Sequence, residues 1–247
     1  MLTRTGLIDF VNRLNNETSA VGSWMLATDF FAGQGLPWLC YGYTETNDDD
    51  TLDVPGLRSN VPSAFLKRWE DEKLCRIDPG VRHSSSSLQC AVFGSEFLAR
   101  EDCDPIVWSY YRDLREIGSY SLLTVPFRGM PQRASGFMDI GGAFVAGDMS
   151  RYLDECQDLL VLAAHYTDQR LVVLDRKEEA CCIGLTSREI QCLQWLATGL
   201  RNDRIAERAG ISVATVRFHL NNARLKLKST TREQAVARAV AMGLIEP

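Results

Sequence analysis

The sequence contains few of the residues from which metal sites and catalytic sites are built. Its three histidines, His83, His165 and His219, lie far apart, and none of its eight cysteines forms a Cys-x-x-Cys pair. Zinc sites require such ligands at short spacings, and cysteines inside apolar segments behave as small hydrophobic residues. A Gly-x-Ser-x-Gly elbow is absent, and no acidic residue is placed to orient His83 beside its neighbouring serines. We therefore predict no metal, no cofactor and no catalytic residue, and we interpret residues 83–90 as a polar loop.

Long hydrophobic runs are also missing. No stretch approaches the roughly 18 apolar residues of a membrane-spanning helix, and the N-terminus lacks the apolar core of a signal peptide. Unpaired cysteines are typical of a reducing compartment. From these features we expect a cytoplasmic protein without a membrane partner, and its 247 residues suggest one or two domains.

The charges are distributed unevenly along the chain. Residues 183–247 carry ten Lys and Arg against five Asp and Glu, whereas residues 1–182 carry 17 against 27. The formal net charge of −5 therefore hides a basic C-terminal segment on an acidic body. This asymmetry indicates that the C-terminal segment meets a polyanion such as a nucleic acid and that the rest does not.

Helix-like and strand-like patterns are mixed in residues 1–174. Apolar residues recur every three or four positions in residues 6–33, 95–117 and 150–174, and a short helix begins near Pro62. Apolar and aromatic runs predict strands at residues 36–45, 88–94, 119–127 and 134–145. We expect an α+β domain in which helices pack on a mostly antiparallel sheet.

Residues 185–247 are predicted to form a separate, all-α domain of four helices, joined by a charged linker at residues 175–184. The helices are expected at about 187–198, 202–209, 213–227 and 231–243. Each follows a residue able to cap it, namely Thr186 or Ser187, Asn202, Ser212, and Thr230 or Thr231. Glycines 199, 210 and 243 stand at helix ends, where a left-handed cap costs little.

This C-terminal segment resembles, over its whole length, the helix-turn-helix domain of the LuxR/FixJ class of transcription regulators. The positions typical of that class are Glu189, Leu193, Gly199, Ile205-Ala206, Ile211-Ser212, Thr215-Val216 and Lys226-Leu227. The resemblance implies that helix 202–209 is a scaffold and that helix 213–227 lies in the major groove of DNA. A helical bundle that contacts another protein and has a solvated basic face is the alternative interpretation.

The predicted recognition helix has a buried stripe and an exposed face of hydrogen-bond donors. Val216, Leu220 and Ala223 follow i, i+4, i+7 spacing and should be buried. The candidate DNA-binding residues are Ser212, Thr215, Arg217, Phe218, His219, Asn221, Asn222 and Arg224. The family resemblance implies base reading by Arg217, Phe218 and Asn221, while groups near the helix start hold phosphate. In this family the final helix often pairs two such domains, which implies a homodimer on a two-fold DNA operator.

The stretch VPSAFLKRWEDEKLCRIDP, residues 61–79, places Phe65 and Trp69 on one helical face and ends at Asp78-Pro79. With the helix–strand order and the later TVPF, it resembles the acyl-homoserine-lactone-binding domain of quorum-sensing LuxR regulators. In that family the aspartate accepts a hydrogen bond from the ligand amide, a task that suits an ionised acceptor. The resemblance implies a small-molecule signal bound by Val61, Phe65, Trp69, Asp78 and Phe93.

The sequence departs from the lactone-binding pattern at several of these positions. Val61, Phe65 and Trp69 stand where the family has Tyr, Trp and Tyr, Phe93 replaces a tryptophan, and Leu122 replaces a glycine. Because Phe65 has no donor, a lactone carbonyl buried against it would lose about 1–3 kcal/mol, or roughly 5- to 150-fold in affinity.

Four interpretations of the first domain follow from these departures. Trp69 is similar to a subgroup of LuxR "solos" that respond to plant-derived or other non-lactone compounds, which favours a different apolar or amide-bearing signal. A lactone bound in an altered pose is the second interpretation. The third is a ligand-independent regulator whose pocket is filled by its own side chains, Phe65, Trp69, Phe93 and Leu122. The last, of a different class, is an enzyme domain fused to a DNA-binding module.

Overall fold

A six-stranded antiparallel sheet lies at the centre of the N-terminal part of the chain. The computed structural model describes residues 2–46, 51–101, 103–128 and 135–245. The strand order is β2-β1-β6-β5-β4, and β3 also pairs with β1. The strands are β1 Trp38–Thr46, β2 Leu52–Asp53, β3 Arg58–Ser59, β4 Ala91–Phe93, β5 Ser121–Phe127 and β6 Ser135–Gly142. The predicted antiparallel α+β fold is confirmed.

Six α-helices accompany these strands in the described part of the chain. They are α1 Arg4–Asn16, α2 Ala20–Ala32, α3 Ser63–Asp71, α4 Pro79–Ser86, α5 Pro105–Asp113 and α6 Ala146–Ile183. Among the described residues no helix is long and apolar enough to cross a membrane.

The two faces of the sheet have different neighbours because side chains alternate along each strand. On one face the Tyr41 and Tyr43 hydroxyls donate to Asp168 of α6 at 3.0 and 2.5 Å, and Phe127 packs edge-on against His165. On the other face Phe137 belongs to an apolar cluster with residues of α3, α4 and α5. This second face carries the cavity described below.

Two predicted elements have different limits in the structure, and two further segments lie largely outside the described residues. Residues 83–86, predicted as part of a loop at 83–90, instead belong to α4, because Asp78 caps this helix and Pro79 occupies its first turn, whereas residues 87–90 are not helical. The helix predicted at 95–117 begins only at Pro105, where the Asp104 side chain accepts from the Ile106 N–H, and it ends in a 3-10 turn at Leu114–Ile117. The predicted turn at residues 128–133 and the acidic run at 48–50 lie largely outside the described residues.

Helix α6 continues beyond the predicted end near Leu174. Residues 175–183, predicted as a linker, are helical, because the run Arg-Lys-Glu-Glu-Ala consists of strong helix formers. The first residue that breaks the pattern is Gly184, at φ +74. By its contacts the chain divides within this helix, into Met1–Leu171 and Val172–Pro247.

The second unit contains the four predicted helices, α7 Ser187–Ala197, α8 Asn202–Ala209, α9 Val213–Lys226 and α10 Arg232–Ala241. Thr186, Ser212 and Thr231 cap α7, α9 and α10 through their hydroxyls, as predicted. The predicted bounds of α8 are confirmed, but the predicted cap Asn202 was wrong, since the N-cap is Arg201 and no side chain caps the helix. Glycines 199, 210 and 243 all have positive φ, between 65° and 83°.

Candidate ligand cavity and nucleic-acid interface

Asp78 is held at the start of α4 by donors from the chain itself. Its Oδ1 accepts from the N–H groups of Gly80 and Val81 at 2.8 and 3.2 Å, and its Oδ2 accepts from the Tyr111 hydroxyl at 3.0 Å. Asp78 is buried, which raises the pKa of its carboxyl, while these hydrogen bonds and one from the Trp69 side chain lower that pKa. A carboxylate offers about four acceptor positions, so the chain fills most of those of Asp78.

A cavity of about 40 Å³ opens beside Asp78, between the sheet and helices α3 to α5. By volume it would admit a few water molecules. Its lining is mainly apolar, with a few polar groups, and consists of Cys40, Leu57, Ser59, Val61, Leu66, Trp69, Asp78, Val81, Tyr110, Tyr111, Leu114, Ser119, Leu122, Phe137 and Asp139. A mostly apolar recess with a few convergent polar groups is typical of a small-molecule site.

Three of the five predicted ligand-binding residues line this cavity. Val61, Trp69 and Asp78 are part of its wall. Phe65 and Phe93 are half-buried and pack against the same apolar cluster without being part of the wall. Of the two aromatic residues on the same face of α3, Trp69 therefore lines the cavity, whereas Phe65 packs in the surrounding core.

A second carboxylate, Asp139, faces the same cavity and was not anticipated from the sequence. In the sheet Asp139 lies opposite Cys40 of β1 and opposite Thr124 of β5, so the three residues form a row across the strands. The Thr124 hydroxyl donates to Asp139 Oδ1 at 2.5 Å. Burial, followed by the charge of Asp78, raises the pKa of Asp139 to about 7. The only sequence signal is one acidic residue inside the apolar strand FMDIGG.

The remaining titratable groups of the cavity wall are neutral near pH 7. Burial raises the pKa of Cys40 to about 12, and it raises the pKa values of Tyr110 and Tyr111 well above the ordinary value for tyrosine. Cys40 lies 3.1 Å from the Ser59 hydroxyl, Sγ to Oγ. Negative charge in the cavity is therefore confined to Asp78 and Asp139.

In the second unit, α8 and α9 are joined by a short turn around Gly210. The Ser212 Oγ accepts from the Thr215 N–H at 3.1 Å and also lies 2.8 Å from the Thr215 hydroxyl. Val216, Leu220 and Ala223 are almost fully buried, as predicted. Packing of this stripe against the other helices leaves the opposite face of α9 to solvent.

The exposed face of α9 carries most of the predicted DNA-binding side chains. Arg217 and Asn221 are exposed, and Phe218 is 61% exposed, which is unusual for a large apolar residue. His219 and Asn222 are half-buried, and the His219 ring lies edge-on against Phe218 at 5.8 Å. Arg224 instead donates to the Ser229 carbonyl at 2.9 Å and to Asn221 Oδ1 at 3.0 Å. It thereby orients Asn221 and secures the end of the helix.

An ion pair between the buried Glu189 and the half-buried Lys226 fixes the start of α7 to the end of α9. Glu189 forms a capping box with Thr186, and its Oε2 accepts from the Lys226 ammonium at 2.7 Å. Burial alone would raise the pKa of Glu189, but the hydrogen bonds from Lys226 and from the Thr186 N–H lower it overall. The pair holds α9 in register with the rest of the unit.

Comparison with known families divides the chain in the same way. Residues 20–171 match the family described as the autoinducer binding domain, and residues 184–239 match bacterial regulatory proteins of the luxR family.

Individual relatives and solved structures agree with these matches. The chain is 30% identical to the transcriptional activator protein RaiR of Rhizobium etli, over 82% of this chain and 84% of RaiR. It is 28% identical to the transcriptional activator protein AnoR of Acinetobacter nosocomialis, over 76% and 77% of the two chains. The crystal structure of Escherichia coli SdiA shares the fold, with a TM-score of 0.56, 19% identity and 98% coverage of each chain.

Proposed function

The chain belongs to the luxR family of bacterial regulatory proteins, and from this premise we propose that it is a dimeric, sequence-specific regulator of transcription whose first unit binds a small molecule. The observation that carries the proposal is the exposed face of α9. On it Arg217, Phe218 and Asn221 project away from the buried stripe, within a helix-turn-helix whose core is complete without them.

The chemistry of this face suits the major groove. An arginine can donate two hydrogen bonds to guanine, an asparagine can pair with adenine, and an exposed Phe218 can contact a thymine methyl group. Ser212, Thr215, His219 and Asn222 lie where phosphate contacts would position the helix. We assign Arg224 an indirect part, in which it orients Asn221 through their 3.0 Å hydrogen bond.

We propose a homodimer because one recognition helix reads only half of an operator, and a second copy would read the other half. Helix α6 supports this proposal by leaving Leu162 and Tyr166 of the first unit 45% and 42% exposed, one helical turn apart on the same side of the helix. An exposed apolar pair of this kind is a candidate contact for a second copy. By contrast, Ala235 and Ala239 of α10 are fully buried within their own unit.

For the first unit we propose that a small molecule binds in the cavity, against Val61, Trp69 and Asp78, with Phe65 and Phe93 packed behind the wall. The match of residues 20–171 to the autoinducer binding domain, and the complex of SdiA with octanoyl-rac-glycerol, support a small-molecule signal. The departures at residues 61, 65 and 93 favour a signal other than a standard lactone. The small volume of the cavity, about 40 Å³, favours a second candidate, a regulator that works without ligand.

DNA recognition is tested by selecting binding sites from random DNA with the full-length protein and measuring affinities by fluorescence anisotropy. We expect a two-fold symmetric site. Arg217→Ala should weaken binding to it by about 1–3 kcal/mol and relax the preference at one base position. The control Arg232→Ala removes the same charge from α10 and should leave the base preference unchanged. If Arg217→Ala keeps both affinity and preference, the proposed docking of α9 is wrong.

Ligand binding is tested by mass spectrometry of an organic extract of the purified protein, together with thermal shifts in the presence of lactones and plant extracts. A compound that binds the folded state raises its stability by RT ln(1 + [L]/Kd). A co-purified compound or a dose-dependent shift is expected. The absence of both would overturn the sensing function and favour the ligand-independent regulator, without affecting the DNA-binding proposal.

A further inference from the structure

The wall of the cavity in the first unit carries acidic side chains but no basic ones. Among its fifteen lining residues, all of them in the described part of the chain, there are two carboxylates and no Lys, Arg or His. Carboxylates withdrawn from water are costly unless a cation or a sufficient number of hydrogen bonds compensates them. The two carboxylates differ in how far the chain supplies that compensation.

The chain donates several hydrogen bonds to Asp78 but only one side-chain hydrogen bond to Asp139 among the described residues. Asp78 receives two backbone N–H groups and the Tyr111 hydroxyl, with a further hydrogen bond from Trp69. Within the described residues, Thr124 is the one side chain that donates to Asp139, and it reaches Oδ1. Oδ2 of Asp139 is therefore available to a donor that enters the cavity.

Ser119 provides an independent sign that the cavity is built for a polar partner. It lines the same cavity, is only 3% exposed, and its Oγ has no hydrogen-bond partner among the described residues. A side chain at Gly141, two residues beyond Asp139 on the same strand face, would come within 2.9 Å of this Oγ. A buried hydroxyl without a partner costs free energy, so a group that binds there gains from satisfying it.

We propose that the cavity accepts a ligand whose polar end is a protonated amine, held by Asp139 and Ser119 and completed by Asp78. This inference rests on the proposed sensing function. An ammonium group has three donors and no acceptor, which matches two carboxylates and a free hydroxyl. Its charge offsets the buried negative charge, and hydrogen bonds between ionised partners are about twice as strong as neutral ones. The apolar wall, including Leu122 and Phe137, would have to move apart to take the rest of the molecule, because the cavity of about 40 Å³ admits only a few water molecules.

The experiment is isothermal titration calorimetry of the full-length protein with three probes. N-(2-aminoethyl)butanamide carries the ammonium, N-(2-hydroxyethyl)butanamide replaces it by a hydroxyl of similar size, and N-butanoyl homoserine lactone is the family's ligand type. We expect the amine to bind the native protein at least about tenfold more tightly than the hydroxyl probe. Asp139→Asn should remove this preference. It should lower the affinity for the amine about tenfold and change the affinity for the hydroxyl probe by less than about threefold.

Two further variants separate the cavity from general charge effects. Asp113→Asn removes a carboxylate that is paired with arginines outside the cavity, and it should alter neither affinity. Ser119→Ala should lower the affinity for the amine by a smaller factor than Asp139→Asn does, because it removes a neutral acceptor.

Each contrary result has a definite meaning. Equal affinity for the amine and hydroxyl probes, or an amine affinity that survives Asp139→Asn, overturns the inference and leaves the sensing function intact. Tighter binding of the lactone, further improved by Asp139→Asn, also overturns it, because position 139 would then donate to a ligand carbonyl, through the protonated carboxyl in the native protein and the amide N–H in the variant. If none of the three probes binds, the inference fails, and the mass spectrometry of extracted compounds decides separately whether the sensing function fails with it.

Discussion

Replacing Asp139 by asparagine should stabilise the ligand-free protein, and the gain should grow with pH. The pKa of Asp139 is about 7 in the folded protein against 3.8 in its ordinary state. Below about pH 4 both states hold the proton, so the buried group carries no penalty. Between about pH 4 and 7 the folded state keeps a proton that the unfolded state has lost, so the free energy of unfolding falls as pH rises. Above pH 7 the penalty is complete, at most about 4 kcal/mol.

Asparagine is neutral at every pH and keeps an acceptor for the Thr124 hydroxyl. The variant should therefore match the native protein within about 1 kcal/mol near pH 4 and exceed its stability by up to about 4 kcal/mol near pH 8. Urea denaturation in a Trp195→Phe background measures this difference, because the four remaining tryptophans, at 24, 38, 69 and 108, all lie in Met1–Leu171.

Asp113→Asn is the matched control for this experiment. Burial alone would raise the pKa of Asp113, but hydrogen bonds from Arg112 and Arg68 lower it overall. A carboxyl with a lowered pKa stabilises the folded state above its ordinary pKa, and that contribution disappears as pH falls. Asp113→Asn should therefore be destabilising near pH 8 and close to neutral near pH 3. If Asp139→Asn gave the same gain at all pH values, or reduced stability near pH 8, the electrostatic account of the cavity would be refuted.

Three shorter predictions concern other contacts. Lys226→Met leaves the buried Glu189 without its cation and should lower the free energy of unfolding by about 1–2 kcal/mol near pH 7. Because the pKa of Glu189 is lowered in the folded protein, this loss should fade near pH 3. Urea denaturation followed by Trp195 fluorescence measures it. Tyr111→Phe removes a donor to Asp78 and should cost about 1–2 kcal/mol, measured by calorimetric melting; an unchanged melting temperature would exclude that hydrogen bond. Phe218→Ala should change stability by less than about 0.5 kcal/mol and still weaken DNA binding in the anisotropy assay.

The helices of the second unit were predictable because their signals are local. A capping hydroxyl at Thr186, Ser212 and Thr231 and a glycine after α7, α8 and α10 mark boundaries within one or two residues. The same kind of local signal was present at Asp78-Pro79, where it marks the start of α4, yet the serines that follow were interpreted as a loop. Ser84 is accommodated in that helix because its hydroxyl donates to the Gly80 carbonyl at 2.9 Å.

The cavity was only partly predictable because its wall is assembled by strand register. Val61, Trp69 and Asp78 lie within one stretch of eighteen positions and are found by resemblance to a family. Asp139 reaches the cavity only because β6 lies between β1 and β5 in the register that sets it opposite Cys40 and Thr124. A shift of one residue would turn its side chain to the other face of the sheet. The sequence around Asp139 contains no pattern from which this strand register could be predicted.

The balance of donors and acceptors in this cavity argues against a standard lactone as the ligand. Val61, Phe65 and Phe93 carry no side-chain donor, and the hydrogen bond of the Trp69 side chain goes to Asp78. A lactone carbonyl would therefore enter a wall with few donors to spare, at a cost of about 1–3 kcal/mol. Acceptors are in excess instead, since Asp139 and Ser119 both line the cavity, Thr124 donates only to Oδ1 of Asp139, and the Ser119 Oγ has no hydrogen-bond partner among the described residues. A ligand that brings donors satisfies both groups at once, whereas one that brings only acceptors can pair with the Ser119 hydroxyl but leaves Oδ2 of Asp139 without a donor.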